Sequence, residues 1–359
     1  GAYKCAAIAL LGLAVSILIP WFAYTDYKIL VDPVYPSFVI ILIYLTGSFI
    51  SFLRTESEKK YVRGAFSRYL SPDLVKKLSE EPGLLELGGE TKDMTIMFSD
   101  IRGFTKISES MSASELTSFI NEYLTPMTDI ILHHNGTIDK YMGDAIMAFW
   151  NAPIDNPNHR EEAATAALAM MKGLRDFNMS LDEKSAADGK KRPPISIGIG
   201  INTGPCCVGN MGSDQRFDYS VLGDTANVAS RLEGQSKTYG VSIVVGEEAV
   251  NFAPEFAWFE LDLIRVIGKD EPLRIFSLVG DSGVNSEKWF LEASKIQDIF
   301  LDNYRNQRWD EAITALNKLE GVSEIDLSVL ISLYRDRISV YRDQGLGPDW
   351  DGVYSATSK

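Results

Sequence analysis

The sequence predicts an α+β protein in which a sheet-containing domain is preceded by two membrane-spanning helices and followed by a small helical region. Two uncharged apolar runs open the chain, short strand-like runs alternate with amphipathic helices in its middle, and only helical patterns follow residue 281. With 359 residues, the chain is long enough for more than one domain.

The two apolar runs predict a transmembrane hairpin over residues 1–54, with helices at about 5–25 and 34–53. Each run has about twenty residues, the length of a helix that crosses a bilayer. A signal peptide and buried core helices are the alternatives. Four basic residues directly follow the second run: Arg54, Lys59, Lys60 and Arg63. Because positive charges favour the cytoplasmic side of an inner or plasma membrane, the remainder of the chain is expected in the cytoplasm.

Residues 55–90 are predicted to connect the membrane hairpin to the next domain. Apolar residues recur there at helical spacing up to Leu70, and Ser71-Pro72 marks a break and a new helix start. An ordinary amphipathic helix lying on the next domain fits the same pattern.

Residues 91–281 show the alternation of an α+β domain with an antiparallel sheet. A capping box at Ser112–Glu115 begins its long first helix. Residues 282–359 are helical, with a spacing similar to one tetratricopeptide unit. The further elements predicted between 91 and 281 are strands at Thr95–Phe98, Thr137–Tyr141, Ala145–Phe149, Ile195–Ile201 and Val241–Val245, helices at 160–178 and Thr225–Tyr239, and turns at Met142–Asp144 and Gly204–Gly212.

Two aspartates stand at positions suited to binding a divalent cation. Asp100 follows a strand and precedes a glycine-containing turn, while Asp144 lies in a tight hairpin turn from which it can reach a neighbouring strand end. A capping Asp and an Asp-rich turn without a ligand are the alternatives. Converging carboxylates would suit a two-metal site that acts on phosphates.

Three segments together resemble the signature stretches of the class III nucleotidyl cyclase family: 98–105, 139–145 and 223–233. The resemblance covers about residues 90 to 280. It implies a ferredoxin-like catalytic fold that works as a head-to-tail homodimer with two divalent metal ions, Mg²⁺ or Mn²⁺. It also implies metal ligands at Asp100, Asp144 and the Ile101 carbonyl, with substrate phosphates at Gly103, Phe104 and Thr105.

The resemblance assigns further roles to four side chains. Asn227 would orient the ribose, and Arg231, four residues later on the same helix face, would neutralise charge on the α-phosphate. A solvated polar helix face is the alternative for this pair. Lys140 resembles the adenine-selecting lysine of adenylyl cyclases, since an ammonium only donates hydrogen bonds. Ser220 stands where many members have Asp, as in a subclass whose members are often bicarbonate-responsive.

One position departs from the family pattern. Ile267 stands where many members carry a phosphate-binding lysine, so Arg265 or Lys269 is expected to supply that charge. This departure leaves the affinity for the triphosphate open.

The resulting hypothesis is a membrane-anchored adenylate cyclase that converts ATP to cyclic AMP and pyrophosphate. A guanylyl or dual-specificity cyclase, and a membrane signalling module that binds nucleotide without turnover, are the alternatives. The N-terminal hairpin and the Tyr69–Pro72 stretch resemble bacterial receptor cyclases with an extracytoplasmic CHASE2 sensor, which would precede Gly1. A net charge of -14 argues against nucleic-acid binding, and three cysteines at Cys5, Cys206 and Cys207 build no disulfide framework.

Overall fold

The computed structural model describes residues 2–66, 87–190, 192–251, 253–265, 271–347 and 350–355. The chain divides into two compact units, Gly1–Glu80 and Glu81–Lys359.

The first unit contains two helices, α1 (Ala2–Tyr27) and α2 (Val34–Phe66). Their segments Cys5–Tyr27 and Val34–Arg54 are long and apolar enough to cross a membrane, and neither is buried within the protein. Helix α2 continues from its apolar segment to Phe66, so the second predicted span and the first part of the predicted connector form one helix. The Tyr69–Pro72 stretch lies outside the described residues.

The second unit combines one sheet with helices on both of its faces. Its strands are β1 (Gly88–Ile101), β2 (Thr137–Met142), β3 (Ala145–Trp150), β4 (Ile197–Ser213), β5 (Arg216–Leu222), β6 (Ile243–Gly246), β7 (Ala257–Arg265), β8 (Leu273–Gly280) and β9 (Tyr354–Ser355). Its helices are α3 (Phe104–Glu109), α4 (Ala113–His133), α5 (His159–Asp188), α6 (Asp224–Tyr239), α7 (Glu247–Asn251), α8 (Ser282–Asn285), α9 (Lys288–Arg305), α10 (Trp309–Val322) and α11 (Ser328–Gln344).

The sheet has the strand order β2-β3-β1-β4-β6-β8-β7-β9, with β5 paired to β4. The expected antiparallel pairing holds for most neighbours, but β4 runs parallel to β6 and β7 runs parallel to β9. Strand β5 and helix α6 lie between β4 and β6 in the chain. This long connection returns the chain to the end of the sheet at which β4 began, so β6 runs parallel to β4. The α+β prediction is confirmed, and the sheet is mixed.

The predicted glycine-rich turn at Gly204–Gly212 is wrong, because this segment continues strand β4. Its glycines allow neighbouring backbones to approach closely. A Cβ atom at Gly209 would lie 2.2 Å from the carbonyl oxygen of Gly88 on β1. Glycines occur in strands where two backbones approach closely, as well as in turns. The glycine spacing alone therefore predicted a turn where the chain forms a strand.

Among the described residues, three apolar cores pack on the sheet, and the smallest lies between strands β1, β3 and β4 and helix α6. Helices α4 and α5 cover one face, where Tyr123, Met127 and Met170 are fully buried. The C-terminal helices share the second core with β7, β8 and α6. The predicted helical appendage therefore packs directly on the sheet-containing domain.

A buried ion pair links this appendage to β7, and a tyrosine hydroxyl links α6 to the same carboxylate. Arg337 of α11 donates a 2.6 Å hydrogen bond to Asp262 of β7, and the hydroxyl of Tyr239, the last residue of α6, donates to the same carboxylate oxygen at 2.6 Å. Asp262 has no solvent-exposed surface, so its charge depends on these two donors and on the backbone N–H of Leu263, which donates to its other oxygen at 2.8 Å.

Replacing Arg337 with methionine is expected to lower the free energy of unfolding by about 3–5 kcal/mol, because it leaves the Asp262 charge buried without a counter-ion. The control is Arg335→Met on the same helix, whose ion pair with Glu320 is exposed and contributes less than about 1 kcal/mol. Thermal or denaturant unfolding of the purified chain measures both. Equal stability of the two variants would contradict this role for Arg337.

Candidate active site

The two predicted metal-binding aspartates lie together. Asp100 is the penultimate residue of β1, and Asp144 lies in the β2–β3 turn beside Gly143, whose φ of 71° suits a tight turn. Both carboxylates accept the backbone N–H of Ile101, at 3.0 Å for Asp100 and 3.2 Å for Asp144. The strand end and the hairpin turn thus bring the two side chains to one point, as their sequence positions indicated.

Electrostatics at this point favour a cation. Burial raises the pKa of Asp144 to about 7, and a hydrogen bond and charge repulsion from Asp100 add to that rise. Among the described residues, no group of three or more His, Cys, Asp and Glu side chains has metal-site geometry. The aspartate pair with the Ile101 carbonyl therefore suits a hard cation whose remaining ligands are water and substrate oxygens.

The turn after β1 is fixed to α6 and its following loop. Arg102 donates to the Ser236 hydroxyl at 3.1 Å and to the Val241 carbonyl oxygen. Gly103, with φ 69°, precedes α3, which begins at Phe104. Thr105 follows in the first turn of α3, where backbone amides have no partner within the helix. The predicted phosphate-binding residues thus follow directly after the end of β1, where Asp100 lies.

Helix α6 carries Asn227 and Arg231, and it packs on β4 at Gly200. A Cβ atom there would lie 2.1 Å from the Glu233 amide nitrogen and 2.2 Å from the Ala229 carbonyl oxygen. Only glycine therefore allows the helix to approach the strand so closely.

The predicted transition-state pair lies on α6, a different element from those that carry the two aspartates. Asn227 is exposed, and Arg231 is half-buried with its Nη1 atom lacking a hydrogen-bond partner among the described residues. Over the same part of the chain, no hydrogen bond or ion pair joins either residue to Asp100 or Asp144.

Glu233 is a neighbour of the aspartates that sequence reasoning missed. Its Oε1 atom lies over Gly198, which pairs with Asp100 across the β1–β4 ladder. Burial raises the pKa of Glu233 to about 7, and repulsion from Asp100 adds to this, while Arg102 opposes it. Glu233 belongs to the segment 223–233 that resembles the family, but nothing in the sequence indicated that it lies near Asp100. That proximity results from the packing of α6 on β4.

The two predicted base-selecting residues meet at a third residue, Asp139. The Ser220 hydroxyl donates a 2.7 Å hydrogen bond to Asp139 Oδ2, and Lys140 Nζ lies 3.2 Å from Asp139 Oδ1. The Asp139 side chain has no exposed surface, while that of Lys140 is 45% exposed. The structure thus brings Lys140 and Ser220 together, and it adds a bridging carboxylate that sequence reasoning had not singled out.

Arg265, one of the two residues predicted to supply a triphosphate-binding charge, is not beside the aspartates within one chain. Arg265 ends β7 and donates to Asp351 at 3.1 Å and to the Ser355 hydroxyl at 3.2 Å, both in the C-terminal segment. Strands β4, β6 and β8 separate β7 from β1. Ile267 and Lys269 lie outside the described residues.

Residues 88–280 match the model of the adenylate and guanylate cyclase catalytic domain. The chain belongs to this family. Adenylate cyclase 1 of Rhizobium meliloti is 35% identical over 216 residues, which cover 60% of this chain and 32% of that protein. The adenylate cyclase of Anabaena cylindrica is 38% identical over 229 residues, 62% of this chain and 43% of that protein. The chain thus spans less than half the length of either relative.

The same fold occurs in a solved structure of a bacterial light-regulated adenylyl cyclase. The two chains are 20% identical, the match covers 66% of each, and the TM-score is 0.53. The cyclase fold is therefore supported by the sheet itself as well as by the sequence match.

Substituting Gly200 with alanine is expected to lower cyclase activity about tenfold or more and stability by about 1–3 kcal/mol, because the new methyl group displaces α6 and the residues it carries. The control is Gly321→Ala in α10, where a Cβ atom meets nothing within 4 Å. Activity and melting temperature are measured for both proteins. Wild-type values for the Gly200 variant would show that the close approach is dispensable.

Metal affinity without nucleotide is expected to rise about tenfold between pH 6 and pH 8. The raised pKa of Asp144, about 7, means that a proton competes with the cation below that pH and is absent above it. Titration with Mn²⁺ followed by electron paramagnetic resonance measures the affinity. The Asp144→Asn variant should bind weakly with a flatter pH profile, and a pH-independent affinity in the wild type would refute the competition.

Proposed function

We propose that this protein is an adenylate cyclase that converts ATP to 3′,5′-cyclic AMP and pyrophosphate. The observation that carries the proposal is the joining of Lys140 and Ser220 through Asp139, beside a hairpin that also carries Asp144. Adenine presents an acceptor at N1 and a donor at its 6-amino group, so it pairs with the Lys140 ammonium and the Ser220 oxygen. The adenylate cyclases among the relatives support the same substrate.

The reaction is an in-line attack of the ribose 3′-hydroxyl on the α-phosphate. Two Mg²⁺ or Mn²⁺ ions held by Asp100, Asp144 and the Ile101 carbonyl would activate the hydroxyl and neutralise the leaving phosphates. Arg231 stabilises charge on the α-phosphate through its guanidinium, whose Nη1 atom is buried and has no hydrogen-bond partner among the described residues. Asn227 orients the ribose, and the backbone of Gly103, Phe104 and Thr105 contacts phosphate oxygens.

Each active site is completed by a second copy of the chain in a head-to-tail homodimer. Among the described residues of one chain, no hydrogen bond or ion pair joins Asn227 or Arg231 to either aspartate. Large apolar side chains stay exposed on the strands that carry Lys140 and Ser220, which suits a surface covered by another subunit. These side chains are Tyr141, Met142 and Leu222.

The protein is anchored to a bilayer through α1 and α2, with residues 91–281 as a catalytic domain in the cytoplasm. Residues 55–90 connect the anchor to this domain, and residues 282–359 form the helical appendage. The exposed apolar surfaces of both N-terminal helices support the anchor. A sensor of the CHASE2 type preceding the hairpin would make the protein a receptor for intracellular signal transduction.

Incubation of the purified chain with ATP and with GTP, each with Mg²⁺ and Mn²⁺, tests the substrate. Cyclic AMP and pyrophosphate are the expected products, with GTP used at least about tenfold less efficiently because both hydrogen bonds to guanine are mismatched. Product identification by mass spectrometry decides between the nucleotides. Equal or greater production of cyclic GMP would assign a guanylyl or dual-specificity cyclase instead.

Mixing two inactive variants tests the composite site. Asp100→Asn and Arg231→Ala are each expected to lower activity about 100-fold or more. Random pairing leaves one intact site in each heterodimer, so the co-expressed pair should recover about a quarter of wild-type activity. Co-expression of Asp100→Asn with Asp144→Asn is the matched control, because both changes damage the same half-site and no intact site forms. Heterodimers of the first pair without activity would refute the composite site.

A further inference from the structure

We propose that Asp139 determines purine specificity by fixing the orientation of the Ser220 hydroxyl, an inference that rests on the proposed adenylate cyclase function. Asp139 acts as a positioning residue, because its fully buried side chain touches Ser220 and Lys140 and offers no exposed atom to a nucleotide. A serine hydroxyl that rotates freely can either donate its one hydrogen to a ligand or accept a hydrogen bond from it. The contact with Asp139 removes that freedom.

The hydrogen bond fixes the polarity of Ser220. Ser220 Oγ donates to Asp139 Oδ2 at 2.7 Å, and a carboxylate can only accept. With its single hydrogen engaged, the Ser220 oxygen presents only lone pairs to a ligand. Ser220 itself is 9% exposed, so few water molecules can offer its hydrogen another partner.

The second oxygen of Asp139 contacts a group that can only donate hydrogen bonds. Lys140 Nζ lies 3.2 Å from Asp139 Oδ1, and an ammonium can only donate. One buried carboxylate therefore holds a donor-only group and an acceptor-only group side by side. Adenine complements this pair through N1 and its 6-amino group, whereas guanine presents an N1–H donor and an O6 acceptor and mismatches both.

A backbone irregularity allows one carboxylate to reach both partners. The register of β2 against β3 shifts between Ile138 and Lys140, which leaves Asp139 as the extra residue of a bulge. Bulges redirect side chains that strict alternation would send to opposite faces. Strand β5 contacts β2 in the same region and presents Ser220 to the redirected carboxylate.

The test measures the ratio of kcat/KM for ATP to kcat/KM for GTP in Asp139→Asn. In this variant the amide oxygen is expected to face Lys140, so the amide nitrogen faces Ser220 and frees its hydrogen. We expect the ratio to fall about tenfold, the size of one hydrogen bond. Asp139→Ala, which leaves the hydroxyl free to rotate without any amide, should lower the ratio as well.

A double-mutant cycle separates positioning from a structural role. Ser220→Ala should lower the ratio by itself, and adding Asp139→Asn to Ser220→Ala should lower it no further, because Asp139 acts through the Ser220 hydroxyl. Asp262→Asn is the matched control, since it neutralises another fully buried carboxylate; it should lower the melting temperature and leave the ratio unchanged. An unchanged ratio in folded Asp139→Asn, or additive effects in the cycle, would overturn the inference.

Ser220→Asp gives a further test with Asp139 intact. A carboxylate at position 220 is a good acceptor for the 6-amino group, but here it would face Asp139 within hydrogen-bond distance. We expect this variant to lose about tenfold or more in kcat/KM for ATP and to regain activity when Asp139→Asn is added. Full activity of Ser220→Asp alone would contradict the inference. Wild-type protein that makes no cyclic AMP would instead refute the proposed function, whatever the variants show.

Discussion

The close contact between helix α6 and strand β4 sets the geometry of the candidate site. Gly198 and Gly200 leave no space between strand and helix, so the backbone of α6 lies directly on β4. Because β4 pairs with β1 at the level of Asp100, the same contact determines where Glu233 and Arg231 lie relative to the aspartates. One helix–strand distance thus fixes several functional side chains at once.

Three aspartates with little exposed surface differ in whether a basic side chain lies beside them. Asp262 is neutralised by Arg337 and Asp139 by Lys140, and each also receives a hydroxyl hydrogen bond. Asp144 accepts backbone N–H groups and lies beside another carboxylate, Asp100, and burial together with this neighbour raises its pKa. Among the described residues, no ion pair with a basic side chain joins Asp100 or Asp144, so this carboxylate pair favours a divalent cation.

Sequence patterns predicted the parts of the site that depend on local structure. Asp100 and Asp144 meet because a strand end and an adjacent hairpin turn have few possible arrangements, and helical spacing alone puts Asn227 and Arg231 on one face. Asp139 was missed because its role depends on a bulge and on a strand about eighty residues away in sequence. Likewise, only the folded chain shows the C-terminal segment that holds Arg265.

The C-terminal helices also hold α6 in place, at the C-terminal end of that helix. Tyr239, where α6 ends, shares Asp262 with Arg337 of α11, and the following Gly240 lies against Val329 at the start of α11. Helix α6 is therefore held along its length by β4 and at its C-terminus by α11. Because Arg231 belongs to this helix, the position of its guanidinium depends on both contacts. The helical region is thus part of the structure that positions the candidate transition-state residues.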